Sequence, residues 1–159
     1  MDVRIFGKRV RFHHIGLAVE SIRVVCPSCQ PFVEKSQGVS IGFVQLHGLT
    51  IELLEPLGED SPIAKSLRDG VKLLHLCYEV PDLDGALERC ASAGFHRLSR
   101  VQRAAIFENR KFVWVYSKQY GLFELLEAPE SRLARFAHAL FKLVRAPASA
   151  TDTVADPGV

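Results

Sequence analysis

The sequence predicts an α+β protein built from two tandem copies of one strand–helix–three-strand unit, and three observations predict it. The chain repeats itself: His14-Ile-Gly-Leu-Ala-Val-Glu-Ser-Ile22 aligns with His75-Leu-Cys-Tyr-Glu-Val-Pro-Asp-Leu83, a histidine heading each copy and Val19 matching Val80. Further on, Ile51-Glu-Leu-Leu-Glu-Pro56 is echoed by Phe123-Glu-Leu-Leu-Glu-Ala-Pro129. Between these landmarks lie short apolar runs of strand length, punctuated by Gly and Pro, with one segment of helical spacing in the second copy. Each copy therefore runs from a histidine-headed strand to a strand carrying Glu-Leu-Leu-Glu, and the order along the chain is His, Glu, His, Glu.

In the first copy, Ile22 to Gln37 is short and contains Pro and Cys, so its helix is expected to be reduced or absent. Val39–Leu46 and Leu49–Glu55 are apolar runs split by His47-Gly48, a hairpin signature. Asp60 or Ser61 is placed to cap a short helix with Pro62 in its first turn, running to about Leu67. In the second copy, Leu83, Ala86, Leu87 and Cys90 form one helical stripe, and Gly94 ends the helix after Ala93. Lys111–Tyr116 and Leu122–Glu127 then read as strands. The modules span about 12–68 and 73–127. An amphipathic helix is expected over about 131–145, with Leu133, Phe136, Leu140 and Leu143 on one stripe. Residues 1–145 would form a single domain, and 146–159, small, polar and Pro/Gly-containing, a disordered tail.

The chain has 159 residues, 48% apolar and 24% charged, the proportions of an ordinary globular protein. Its 20 basic and 18 acidic side chains leave a net charge of +2, too balanced for a nucleic-acid binder. Neither a signal segment nor a membrane span is visible, so a cytoplasmic protein is expected. In that compartment Cys26, Cys29, Cys77 and Cys90 are expected as free thiols. Cys26-Pro-Ser-Cys29 has the spacing of half a zinc site or of a redox pair, but no second pair accompanies it.

Side chains alternate along a strand. His14 should share a face with Gly16 and Ala18, whose small size leaves open space beside it. Glu52 lies in one apolar strand and Glu124 in another, and a carboxylate buried there must be paired or bound to a cation. Two neutral imidazoles and two carboxylates, supplied symmetrically by two halves, would satisfy one divalent ion; Zn, Ni, Co, Mn and Fe all suit that donor set. His13, His47, His96 and His138 have no such repetition. His13 is expected to face away from His14, His47 to lie in a turn, and the other two at the surface.

The segments H-H-I-G-L-A-V (13–19), Q-G-V (37–39), I-E-L-L-E-P-L-G-E-D-S-P-I (51–63), L-H-L-C-Y-E-V-P-D-L (74–83) and G-L-F-E-L-L-E (121–127) together resemble the vicinal oxygen chelate superfamily, which groups glyoxalases, bleomycin-resistance proteins and dioxygenases. The methylmalonyl-CoA epimerase-like branch is the most similar. The resemblance implies paired βαβββ modules forming a cup-shaped mixed sheet around a metal site. It implies His14, Glu52, His75 and Glu124 as metal ligands, with Glu52 and Glu124 also serving as catalytic bases. It further implies a metal-dependent epimerase or isomerase acting on a small acyl-CoA or 2-oxo compound, in a homodimer. A glyoxalase I-type lyase and a metal-free drug-binding resistance protein are the alternatives. In the epimerase pattern an acidic residue directly precedes Gln-Gly-Val; here Ser36 stands there, and Glu34, two residues earlier, is a candidate base if the chain turns it inward.

Overall fold

A computed structural model describes residues 4–129 of the chain. The expected helix over 131–145 and tail over 146–159 lie outside those residues. The first copy forms β1 (Arg11–Ala18), α1 (Ile22–Val25), β2 (Phe32–Glu34), β3 (Val39–Leu46) and β4 (Leu49–Pro56), and is followed by α2 (Ala64–Arg68). The second forms β5 (Leu73–Val80), α3 (Leu83–Ser92), β6 (His96–Arg97), β7 (Gln102–Ala104), β8 (Arg110–Ser117) and β9 (Gly121–Glu127).

The nine strands of the described residues belong to one mixed sheet in the order β2-β3-β4-β1-β5-β9-β8-β6, with β7 also pairing with β8. The arrangement is a pseudo-symmetric duplication. In each half the histidine strand runs parallel to the Glu-Leu-Leu-Glu strand, β1 with β4 and β5 with β9. The halves join where β1 pairs antiparallel with β5, so the two modules share their central seam within one chain. All four strands that carry the repeated His and Glu therefore lie side by side at the middle of the sheet.

Alternation sorts the apolar residues onto the two faces. Outward from module one, Val19, Ile22, Ile51 and Leu53 pack together with Ile15, Leu17 and Val44. Outward from module two, Val80, Leu83, Ala86, Cys90, Val113, Val115, Phe123 and Leu125 form the largest cluster. The inner face carries Cys77, Phe107, Phe112 and Leu126 on one side and Val39, Ile41 and Leu54 on the other, with Phe43 and Ile106 touching both groups.

Local chemistry explains the elements. At the β3–β4 hairpin His47 and Gly48 take φ of 47° and 84°, the left-handed pair a two-residue turn requires. Asp82 caps α3 by accepting from the Gly85 N–H at 3.0 Å. α1 is the reduced helix expected between Ile22 and Gln37, only four residues long, with the Ile22 N–H donating to Glu55 Oε2 at 2.6 Å.

Several expectations are corrected. Cys26 and Cys29 are bonded to each other in a disulfide, so only Cys77 and Cys90 among the four are free thiols. The bridge and its neighbours pack against Ile22 and Leu53, closing the place that a longer crossover helix would cover. α2 begins at Ala64 with Ile63 as its cap, later than Asp60 or Ser61, and ends at Arg68; Ser61 instead bonds through its carbonyl to the Ala64 N–H in the preceding turn. The N-terminal segment, which the sequence left unassigned, buries Ile5 and Phe6 in the outer cluster of module two.

Candidate metal centre

His14 and His75 sit on adjacent strands of the seam, where Gly16 pairs with His75 and His14 with Cys77. Glu52 pairs with Gly16 on one side and Phe43 on the other; Glu124 pairs with Cys77 and Trp114. All four side chains project to the inner face and meet there. His14 Nε2 lies 3.1 Å from His75 Nε2, 3.2 Å from Glu52 Oε2 and 3.3 Å from Glu124 Oε2. His75 Nε2 lies 3.4 Å from Glu52 Oε2 and 3.7 Å from Glu124 Oε2. The four residues are 0–4% exposed.

Two glutamates and two histidines are expensive to bury unless they pair with one another or hold a cation. Glu124 Oε2 has no hydrogen-bond partner although it is fully enclosed. Donors held about 2.1 Å from one ion would stand roughly 3.0–3.4 Å apart in octahedral or tetrahedral order, close to the spacing here. The donor set and its spacing thus fit a divalent cation. Without one, protons take its place. Burial alone would lower the His14 pKa, but the Glu52 and Glu124 carboxylates outweigh it and raise it to about 9. Burial pushes Glu52 up, and the facing His14 more than reverses this, holding it well below the usual carboxylate range. An incoming divalent ion would therefore displace a proton from this cluster at neutral pH.

Aromatic rings hold the imidazoles. Phe107 stacks on His14 at 5.8 Å, Phe43 meets it edge-on at 5.7 Å, and Trp114 meets His75 edge-on at 4.7 Å. The open space expected over Gly16 is filled: a Cβ there would overlap the His75 ring, which supplies all three of its nearest atoms. His13 is also corrected. A register shift between Phe12 and His14 breaks the alternation, and His13 turns inward, its Nδ1 2.7 Å from Nδ1 of His14. No sequence signal marks that bulge, because a bulge is one residue of extra length in a ladder whose register is set by its partners.

A second grouping, His13, His14 and Cys77, also clusters its donor atoms. Burial and the Glu124 charge push the Cys77 thiol well above its ordinary pKa, which disfavours the thiolate a metal needs. Glu34 accepts from the Ser36 N–H at 3.2 Å and the Ser36 hydroxyl at 2.6 Å, so its carboxylate caps its own turn and is not among the clustered donors. His47 and His96 are exposed, in a turn and at the sheet edge; His138 lies outside the described residues.

Residues 13–114 match the family model for the glyoxalase/bleomycin resistance protein/dioxygenase superfamily. The chain belongs to that superfamily. Among curated members, the ethylmalonyl-CoA/methylmalonyl-CoA epimerase of Cereibacter sphaeroides is 35% identical over 122 residues, covering 70% of this chain and 91% of its own. Two solved structures superpose with a TM-score of 0.66. One is a hypothetical protein from Bacillus halodurans C-125, 28% identical, covering 78% of this chain and 98% of its own. The other is the methylmalonyl-CoA epimerase of Mycobacterium tuberculosis, 23% identical, covering 85% of this chain and 96% of its own, a likeness of fold. The superfamily membership matches the resemblance carried by the repeated motifs.

Proposed function

We propose that this superfamily member is a metal-dependent epimerase that moves the proton next to a thioester carbonyl, with an acyl-CoA of the methylmalonyl kind as substrate. His14, Glu52, His75 and Glu124 are the metal ligands in this reading. The observation that carries it is the convergence of two imidazoles and two carboxylates from both modules on one buried point. A divalent ion bound there supplies Lewis-acid polarisation of the substrate carbonyl, which acidifies the neighbouring C–H.

Epimerisation needs a proton acceptor on one face of the carbon and a donor on the other. Glu52 and Glu124 come from opposite modules and reach the site from opposite sides of the β1–β5 seam, so they are the two bases. Phe43, Phe107 and Trp114 pack on the His14 and His75 rings and limit water at the cluster, which strengthens the charge interactions there. Ser36 occupies the place of the acidic residue in the epimerase pattern, and Glu34 is engaged with it, which leaves the proton transfers to the ligand carboxylates. The curated relative named for ethylmalonyl-CoA and methylmalonyl-CoA supports an acyl-CoA over a glutathione adduct. An intact four-donor set argues against metal-free drug sequestration. Soluble cytoplasmic residence and a homodimer complete the reading.

The test is elemental analysis of the purified protein followed by deuterium wash-in. Methylmalonyl-CoA in D2O should gain deuterium at C2 with the wild type, and at least ~100-fold more slowly with Glu124→Gln. Absence of any bound divalent metal, or wash-in unaffected by Glu124→Gln, would sink the proposal. Turnover of methylglyoxal plus glutathione instead would assign the lyase reading.

A further inference from the structure

The inward turn of His13 places a second imidazole directly behind the first. The two Nδ1 atoms are 2.7 Å apart, so one of them carries the proton between them and the other accepts it. Which one is decided by the far side of His14. Its Nε2 faces His75, Glu52 and Glu124 at 3.1–3.3 Å, the direction in which a cation would sit. To offer a lone pair there, neutral His14 must keep its proton on Nδ1, and His13 Nδ1 must be the acceptor.

His13 then carries its own proton on Nε2, which points towards Glu79 Oε1 at 3.9 Å. Glu79 in turn accepts from Arg110 Nη1 at 2.6 Å. Arg110 is 8% exposed and anchored by donating from Nε to the Phe107 carbonyl at 3.1 Å and from Nη1 to the Glu127 carbonyl at 3.2 Å. The ring of Phe107, edge-on to His13 at 5.5 Å, closes the remaining side. At 3.9 Å the Glu79 carboxylate, fixed by a buried guanidinium, is an electrostatic neighbour of the His13 imidazole and not its hydrogen-bond acceptor, whereas the 2.7 Å bond between the two rings orients His14 directly. Module two has no equivalent, because Leu74 stands in the matching position.

We propose that His13 is a positioning residue that selects the tautomer and direction of His14, and so makes His14 the better metal ligand of the two histidines. This rests on the metal-centre reading above. Orienting partners behind a metal-bound histidine typically contribute ~10–100-fold to metal affinity.

The test compares wild type, His13→Leu and His13→Asn. Zn(II) affinity is read by competition with a chromogenic chelator, the visible bands of the Co(II)-loaded protein report ligand geometry, and the melting temperature of each metal-free form is recorded. His13→Leu should weaken Zn(II) binding ~10–100-fold and shift the Co(II) bands. His13→Asn, whose Oδ1 takes the acceptor position of Nδ1, should recover most of the affinity and the wild-type bands. Equal affinity for wild type and His13→Leu would overturn the role of His13, as would His13→Asn binding no better than His13→Leu. A loss in His13→Leu confined to melting temperature would also overturn it, since that marks mere packing. Failure of the wild type itself to take up metal would overturn the metal centre, a result distinguishable from all of these.

Discussion

At Gly16 the absence of a side chain leaves room for the His75 ring between two paired strands. The His75 ring lies where the first atom of any side chain at position 16 would be. Gly16→Ala must therefore displace His75 or push β1 from β5, an overpacking that costs ~1–3 kcal/mol. The expected result is a lower unfolding midpoint in urea together with weakened metal uptake, measured on the same preparation; a variant with unchanged affinity would show that His75 is not held by this contact. The four clustered residues were legible at this scale because duplication marks them: His14 repeats as His75 and Glu52 as Glu124. Gly16 was legible only as small. Its neighbour in space is residue 75, and no local pattern carries that information. His13 was misread for a related reason: strand alternation predicts the opposite face, and only the pairing with β5 introduces the bulge that overrides it.

Elements differ in how far their own chemistry determines them. α3 was readable from its stripe and from Gly94, because a ten-residue amphipathic helix carries its own periodicity and stop signal, and the structure adds the Asp82 cap at its start. The β3–β4 hairpin was readable from His47-Gly48, since few residue pairs accept two positive φ values. α1 is different. Four residues cannot sustain a helix by local hydrogen bonds, and the crossover from β1 to β2 depends on buried Ile22, on Glu55 and on the Cys26–Cys29 bridge. Denatured without reductant, the purified chain should show two titratable thiols, Cys77 and Cys90, and four after reduction. Replacing both Cys26 and Cys29 by Ser should lower stability by ~2 kcal/mol, the loop-closure figure for so short a ring, while metal affinity stays near wild type because the bridge packs on the opposite sheet face. Four thiols in the unreduced protein would exclude the bridge.

Across the whole molecule, one face of a single nine-stranded sheet holds the site and the other holds most of the packing. Ile5 and Phe6 close the outer cluster of module two, where Phe6 meets Phe95, Phe123 and Tyr78 at 5.3–6.0 Å. Phe6→Ala should cost ~3–5 kcal/mol in a thermal melt and leave the metal affinity of the folded protein unaltered. A large change in affinity would mean that the two faces are not independent. The sequence by itself determined the duplication, the α+β class, the strands that carry each repeated His and Glu, and the need of two buried carboxylates for a cation. These follow from patterns of two to a dozen neighbouring residues, where alternation, caps and turns act. The tertiary structure alone decided that His13 stands behind His14, that His75 lies over Gly16, that Arg110 and Glu79 complete the row, and that the N-terminal segment packs on module two. Each of these joins residues distant in the chain through strand register, and register is settled by the pairing of whole strands rather than by any one of them.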